Sequence, residues 1–78
     1  MIPIDEHSYL VIIERGREGY GAWAPDLPGC VALGDTPDDA EREMREAIAF
    51  HLDGLREDGF PIPPASAAGT AVVEVPAA

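Results

Sequence analysis

The sequence has no lysine, asparagine or glutamine, and its 78 residues include a single cysteine, Cys30. A lone cysteine closes no disulfide within the chain and builds no multi-cysteine zinc site. Positive charge is scarce. Five basic residues, all arginine, stand against 15 acidic ones, for a net charge of −10. Without a basic stripe there is no electrostatic footprint for a nucleic-acid backbone, so this chain is not expected to bind nucleic acid directly. An acidic surface instead favours a cationic partner and speeds its capture. Long apolar runs are missing too. The longest aliphatic run, residues 10–13, is far short of the ~20 residues needed to cross a bilayer. The opening MIPIDEHSY lacks both a basic region and an apolar signal core. The expectation is a cytoplasmic protein with no membrane partner.

What remains is the composition of a globular chain. Hydrophobic residues make up 46% of the sequence, which separates this acidity from that of a disordered tail. At 8.3 kDa the chain has room for one core, so residues 1–78 are read as a single domain.

Residues 9–15 are the best strand. Tyr9, Val11 and Ile13 alternate with Leu10 and Ile12, so both faces are apolar, as in a central strand covered on both sides. Gly16 and Gly19 suit a hairpin loop with positive φ. Residues 20–25, with Trp23 the bulkiest, form the returning strand. Pro28-Gly29 fits the central positions of a type II turn. Residues 30–34 form a short third strand closed by Gly34.

A helix is expected over 37–58. Thr36 caps it, Pro37 takes the first helical position, and Asp38, Asp39 and Glu41 complement the helix dipole. Ala40, Met44, Ala47, Ile48, His51 and Leu55 share one stripe, with Leu52 at its margin, while Glu43, Glu46 and Asp53 face outward. Asp38–Arg42 and Glu41–Arg45 are spaced as i,i+4 pairs. Gly59 ends the helix, 61–64 run extended, and 71–75 form a last strand stopped by Pro76.

The fold class is therefore α+β, with element order β-β-β-α-β. The two-sided apolarity of the first strand places the last strand beside it, giving a four-stranded sheet of order 3-2-1-4 with one helix on one face. The other face keeps apolar side chains, so a homo-oligomer, dimer or tetramer, is expected to cover it.

The strand at Tyr9-Leu10-Val11, the hairpin to Gly21-Ala22-Trp23, and the segment Pro25-Asp26-Leu27-Pro28-Gly29-Cys30 followed by Gly34-Asp35-Thr36-Pro37 resemble the HicB-type antitoxins. So do the acidic amphipathic helix and the Gly59…Pro61-Ile62-Pro63-Pro64 exit. The resemblance covers residues 9–76. It implies a truncated RNase H-like fold and a non-enzymatic antitoxin. It also implies a partner: a small basic HicA-type toxin that degrades mRNA and whose RNA-binding surface the antitoxin occludes. A solitary HicB-like structural or regulatory oligomer is the alternative. A metal-dependent nuclease is the remaining one.

Tyr9, Val11, Ile13, Trp23, Asp26, Leu27, Pro28, Glu43, Glu46 and Asp53 are the candidate partner or oligomer contacts. Pro25, Gly29, Cys30, Gly34, Asp35, Thr36 and Pro37 are read as the structural motif. The 26–29 turn is first of all structural, with Asp26 bonding nearby backbone N–H groups, and it doubles as a surface loop. His51 is read as a packing histidine and Cys30 as a small buried hydrophobe. No catalytic residue, cofactor or metal site is expected. The only carboxylate of the first strand, Glu14, lies at its end, and the helix carboxylates point away from the apolar stripe, so nothing converges on Mg²⁺.

Overall fold

Alternating apolar residues in the first half of the chain fold into an antiparallel meander. The computed structural model describes residues 8–76. In it, β1 (Ile12–Arg15), β2 (Tyr20–Trp23) and β3 (Val31–Gly34) form one sheet in the order β1-β2-β3, followed by helix α1 (Pro37–Glu57). The register aligns Ile12, Trp23 and Val31 on one face, and Ile13, Ala22 and Ala32 on the other. The helix lies on the second face, mainly over β3 and β2 and least over β1.

Small residues on that face let the helix approach. A side chain at Gly34 would sit 2.4 Å from the Ala40 backbone nitrogen, so only glycine fits. The buried core is correspondingly compact: Ala22, Ala24, Leu27, Cys30, Ala40 and Met44. Tyr9, Val11, Tyr20, Ala32, Ala47, Ile48 and Leu52 pack around it. Leu52, expected at the margin of the helix stripe, is thus a packing residue.

The helix ends follow the sequence signals. Thr36 accepts a 3.1 Å hydrogen bond from the Asp39 amide, Pro37 takes the first turn, and Asp58 caps the C-terminus. Gly59 adopts φ 76°, its N–H bonding the Arg56 carbonyl and the Phe60 N–H the Leu55 carbonyl. This is a Schellman motif, and it satisfies carbonyls that would otherwise be orphaned.

Four expectations are corrected. The strands are shorter than 9–15, 20–25 and 30–34. Ala24 already belongs to a turn, accepting from the Leu27 amide, so residues 9–11 have no ladder partner on β2. Gly16 and Gly19 do not adopt positive φ. Gly19 is instead required for close approach, since a Cβ there would lie 2.8 Å from the Gly34 carbonyl oxygen. Arg42 pairs with Asp39 at 2.7 Å rather than with Asp38, because Asp39 is already oriented beside the Thr36 cap; Arg45 pairs with Glu41 as expected.

The fourth correction concerns 71–75. This segment joins no strand, so the sheet has three strands among the described residues and ends at β1. Its side chains lie in solvent, with Val72 wholly exposed. The order 3-2-1-4 is not realised within the described chain.

Candidate functional site

The segment linking β2 to β3 consists of two consecutive turns, each with proline at its second position. The Leu27 N–H bonds the Ala24 carbonyl across Pro25-Asp26, and the Cys30 N–H bonds the Leu27 carbonyl across Pro28-Gly29, both at 3.1 Å. Gly29 has φ 83°, as the third residue of a type II turn requires. The double turn drives Leu27 inward to 1% exposure. Leu27 is therefore a core residue and offers no contact surface.

Asp26 points the other way, toward the chain beyond the helix. Its Oδ2 accepts the backbone N–H groups of Ser66 (2.8 Å) and Ala67 (3.0 Å), and its Oδ1 accepts the Ser66 hydroxyl at 2.7 Å. The amides it holds are thus distant in sequence, not local as a simple turn reading expects. The Ala67 amide, with the Ser66 hydroxyl and amide, holds the Asp26 carboxyl below its ordinary range. A few residues earlier, the Tyr9 hydroxyl donates to the Pro63 carbonyl. The exit segment is thereby strapped across the base of the sheet.

Three open surfaces stand out among the described residues. The first is the sheet face opposite the helix, carrying Trp23, Val31 and Leu33, the last 78% exposed. Trp23 donates from Nε1 to Glu14 at 3.1 Å across this face. The second is the outer side of α1. Seven carboxylates and three arginines lie on this helix. The arginines are paired with Asp39, Glu41 and Asp53, which leaves Asp38, Glu43, Glu46 and Glu57 without a salt bridge among the described residues. The third is a groove of about 420 Å³ between the start of β3 and the second half of the helix, edged by Val31, Phe50 and Phe60.

The candidate contacts distribute unevenly over these surfaces. Trp23 is on the open face, Pro28 at the exposed turn tip, and Glu43 and Glu46 on the outer helix side. Asp53 is held by Arg56 at 3.1 Å. Ile13 is at the rim, more than a third exposed, whereas Tyr9 and Val11 pack against the core. In the structural motif, Pro25 and Gly29 shape the turns, Cys30 fills the core, Gly34 admits the helix, and Thr36 and Pro37 start it; Asp35 is exposed just before the cap. His51 lines the same groove as Cys30, a proximity invisible in their spacing. Burial pushes the Cys30 thiol up, the opposite of what a nucleophile needs. Among the described residues, no three His, Cys, Asp or Glu side chains gather as metal ligands, and no helix is long and apolar enough to cross a membrane.

The family model described as "HicB_like antitoxin of bacterial toxin-antitoxin system" matches residues 9–76. The chain belongs to this family. It is 36% identical over 69 residues to Antitoxin HicB 2 of Photorhabdus laumondii, covering 88% of this chain and 50% of that protein. It is 42% identical over 55 residues to a 14.9 kDa protein of Haemophilus phage HP1, covering 70% of this chain and 41% of the phage protein. The chain thus spans about half or less of these two relatives. Among solved structures it resembles a "HicA3 and HicB3 toxin-antitoxin complex", with TM-score 0.67 and 35% identity over 76% of this chain and 70% of that one. It also resembles an "Antitoxin HicB3 crystal structure", with TM-score 0.61, 35% identity and coverage of 73% and 42%.

In this HicB-like chain the family segment at 25–30 and 34–37 is explained by the turns, the clamp and the helix start. Two exposed residues escaped the reading of the sequence. Phe50, 82% exposed, lies off the apolar stripe, and an aromatic out of phase with a helix stripe was the available signal. Leu33 alternates with Ala32 and Gly34, and those small residues had to face the helix, leaving Leu33 outside.

Proposed function

We propose that this chain is a non-enzymatic antitoxin that binds a small basic HicA-type toxin and covers its RNA-binding surface. The likeness to the HicB3 chain solved with HicA3 carries this reading. The electrostatics support it independently. Asp38, Glu43, Glu46 and Glu57 present carboxylates without a salt bridge among the described residues, within a protein of net charge −10. A basic toxin is steered toward such a face, and the encounter rate falls as salt screens it. A second copy of the chain covering the open sheet face makes the antitoxin a homo-oligomer, dimer or tetramer.

Co-expression with a small basic HicA-type toxin tests the proposal. Growth is restored and the two proteins co-elute on a sizing column. The double variant Glu43→Lys/Glu46→Lys slows association and flattens its salt dependence. Unrelieved toxicity with no complex would leave the solitary-oligomer reading in its place.

A further inference from the structure

The sheet has a vacant place and the chain has an unused strand. The residues leading into β1 read as a central strand, with Tyr9, Val11 and Ile13 apolar on one side and Leu10 and Ile12 on the other, yet of these only Ile12 and Ile13 lie in β1, which is the outer strand of the sheet. No described strand lies beyond it, and the helix covers it least. A groove of about 400 Å³ lies beside the residues that lead into it, lined by Tyr9, Val11, Arg45 and Ile48 among others. An outer strand that is apolar on both faces is a template for pairing with another chain.

Residues 71–75, Ala-Val-Val-Glu-Val, have the complementary character. They are β-branched and alternate, with Ala71, Val73 and Val75 on one side and Val72 and Glu74 on the other. In the structure Val73 and Val75 are 76% and 81% exposed. Glu74 is the only charge between residues 60 and 76, so this segment escapes much of the repulsion that a net charge of −10 imposes elsewhere.

Two straps hold the chain that leads to this segment. The chain passes the foot of β1 at Pro63, where Tyr9 holds it. It is then carried on to Asp26, which fixes Ser66 and Ala67. Asp26 lies on the connection leading from β2 to β3, away from the free edge of β1. The strand-forming residues therefore leave from the β2–β3 connection rather than from β1 itself.

We infer that residues 71–75 add as a strand to the outer edge of β1 in a second copy of the chain, with two copies exchanging strands reciprocally. Val73 and Val75 face Val11, Ile13 and Ile48 of the other copy, and Val72 joins Ile12 on the open face. Backbone hydrogen bonds give the affinity and the alternating valines fix the register. The exchange is isologous and closes as a dimer. It places a specific interface at the β1 edge, apart from the open sheet face, and it is tested without any toxin, so its failure leaves the antitoxin reading standing.

Sedimentation of the full chain alone, with amide hydrogen exchange, is the experiment. The expected mass is twice 8.3 kDa at high concentration, falling to one chain on dilution. The amides of 71–75 become protected only as the dimer forms. Val73→Pro removes a ladder N–H from a residue that is exposed in the single chain, so the far-UV spectrum is kept while dimerisation weakens about tenfold or more. A monomer at every concentration overturns the inference, as does a dimer indifferent to Val73→Pro. So does tail protection independent of concentration, which means the strand folds onto its own β1.

Discussion

Replacing Gly34 and Gly54 by alanine separately should move stability in opposite directions. At Gly34 the added Cβ would lie 2.4 Å from the Ala40 nitrogen, 2.7 Å from the Asp39 carbonyl carbon and 2.8 Å from the Asp39 Cβ. The first two are backbone atoms of the first helical turn, so no side-chain rotation relieves the contact. Either the strand or the capped helix start must shift, and Ala40 is fully buried where it would have to move. Overpacking of this kind costs about 1–3 kcal/mol. Alanine recovers up to about 1 kcal/mol by restricting the unfolded chain, which leaves a net loss of about 1–2 kcal/mol. A domain of this size shifts by about 4–8 °C per kcal/mol, so Gly34→Ala should melt about 5–15 °C lower by far-UV circular dichroism. Gly54 sits inside the helix with nothing within 4 Å of an added Cβ. There, alanine should raise stability by about 0.5–1 kcal/mol. A Gly34→Ala protein melting at or above the parent temperature would refute the argument that glycine sets the helix-to-sheet distance.

Asp26 should act as an acid-sensitive latch. Its carboxyl is held below the ordinary carboxylate range in the folded chain, so the clamp is fully present above that range and is lost as pH falls through the depressed value. Limited proteolysis should show the 64–70 segment opening only in acid below the ordinary carboxylate range in the parent and already open at neutral pH in Asp26→Ala; equal cleavage of the two at neutral pH would remove the latch. Met44→Ala should cost about 2–5 kcal/mol. A core of this size supplies about 3–5 kcal/mol, so the variant should lose its cooperative thermal transition. Trp23 is the single tryptophan and stands on the open sheet face. If the toxin docks on the acidic helix, Trp23 emission stays in place on titration; a blue shift would put the toxin on the sheet face instead.

The helix was legible because its signals are local and agree with one another. Thr36, Pro37, the acidic first turn and Gly59 each act within a few residues of a helix end, and the structure uses every one. The type II turn at Pro28-Gly29 was readable for the same reason, since a single positive φ decides it. What the sequence hid depends on contacts between distant segments. Asp26 finds its partners forty residues away, so a rule about neighbouring amides chose the right groups in the wrong place. Leu27 looked like a loop-tip residue because nothing local shows that two coupled turns rotate it into the core. Tyr9 and Val11 pack against the core although they lie before β1 and not in it, and which side the helix covers is fixed by the small residues Ala22, Ala32 and Gly34 on other strands.

The vacancy beside β1 and the acidic helix face are separate in both place and chemistry. The residues assigned to strand exchange are apolar apart from Glu74, whereas Glu43 and Glu46 belong to a helix rich in carboxylates. Screening by salt weakens attraction between a negative helix and a basic toxin. It also relieves the mutual repulsion of two chains that each carry −10. The two associations must therefore respond to ionic strength with opposite sign: self-pairing strengthens under the conditions in which toxin capture slows. Under the proposed division, one small fold would pair with itself at a place apart from the surface that would meet a toxin.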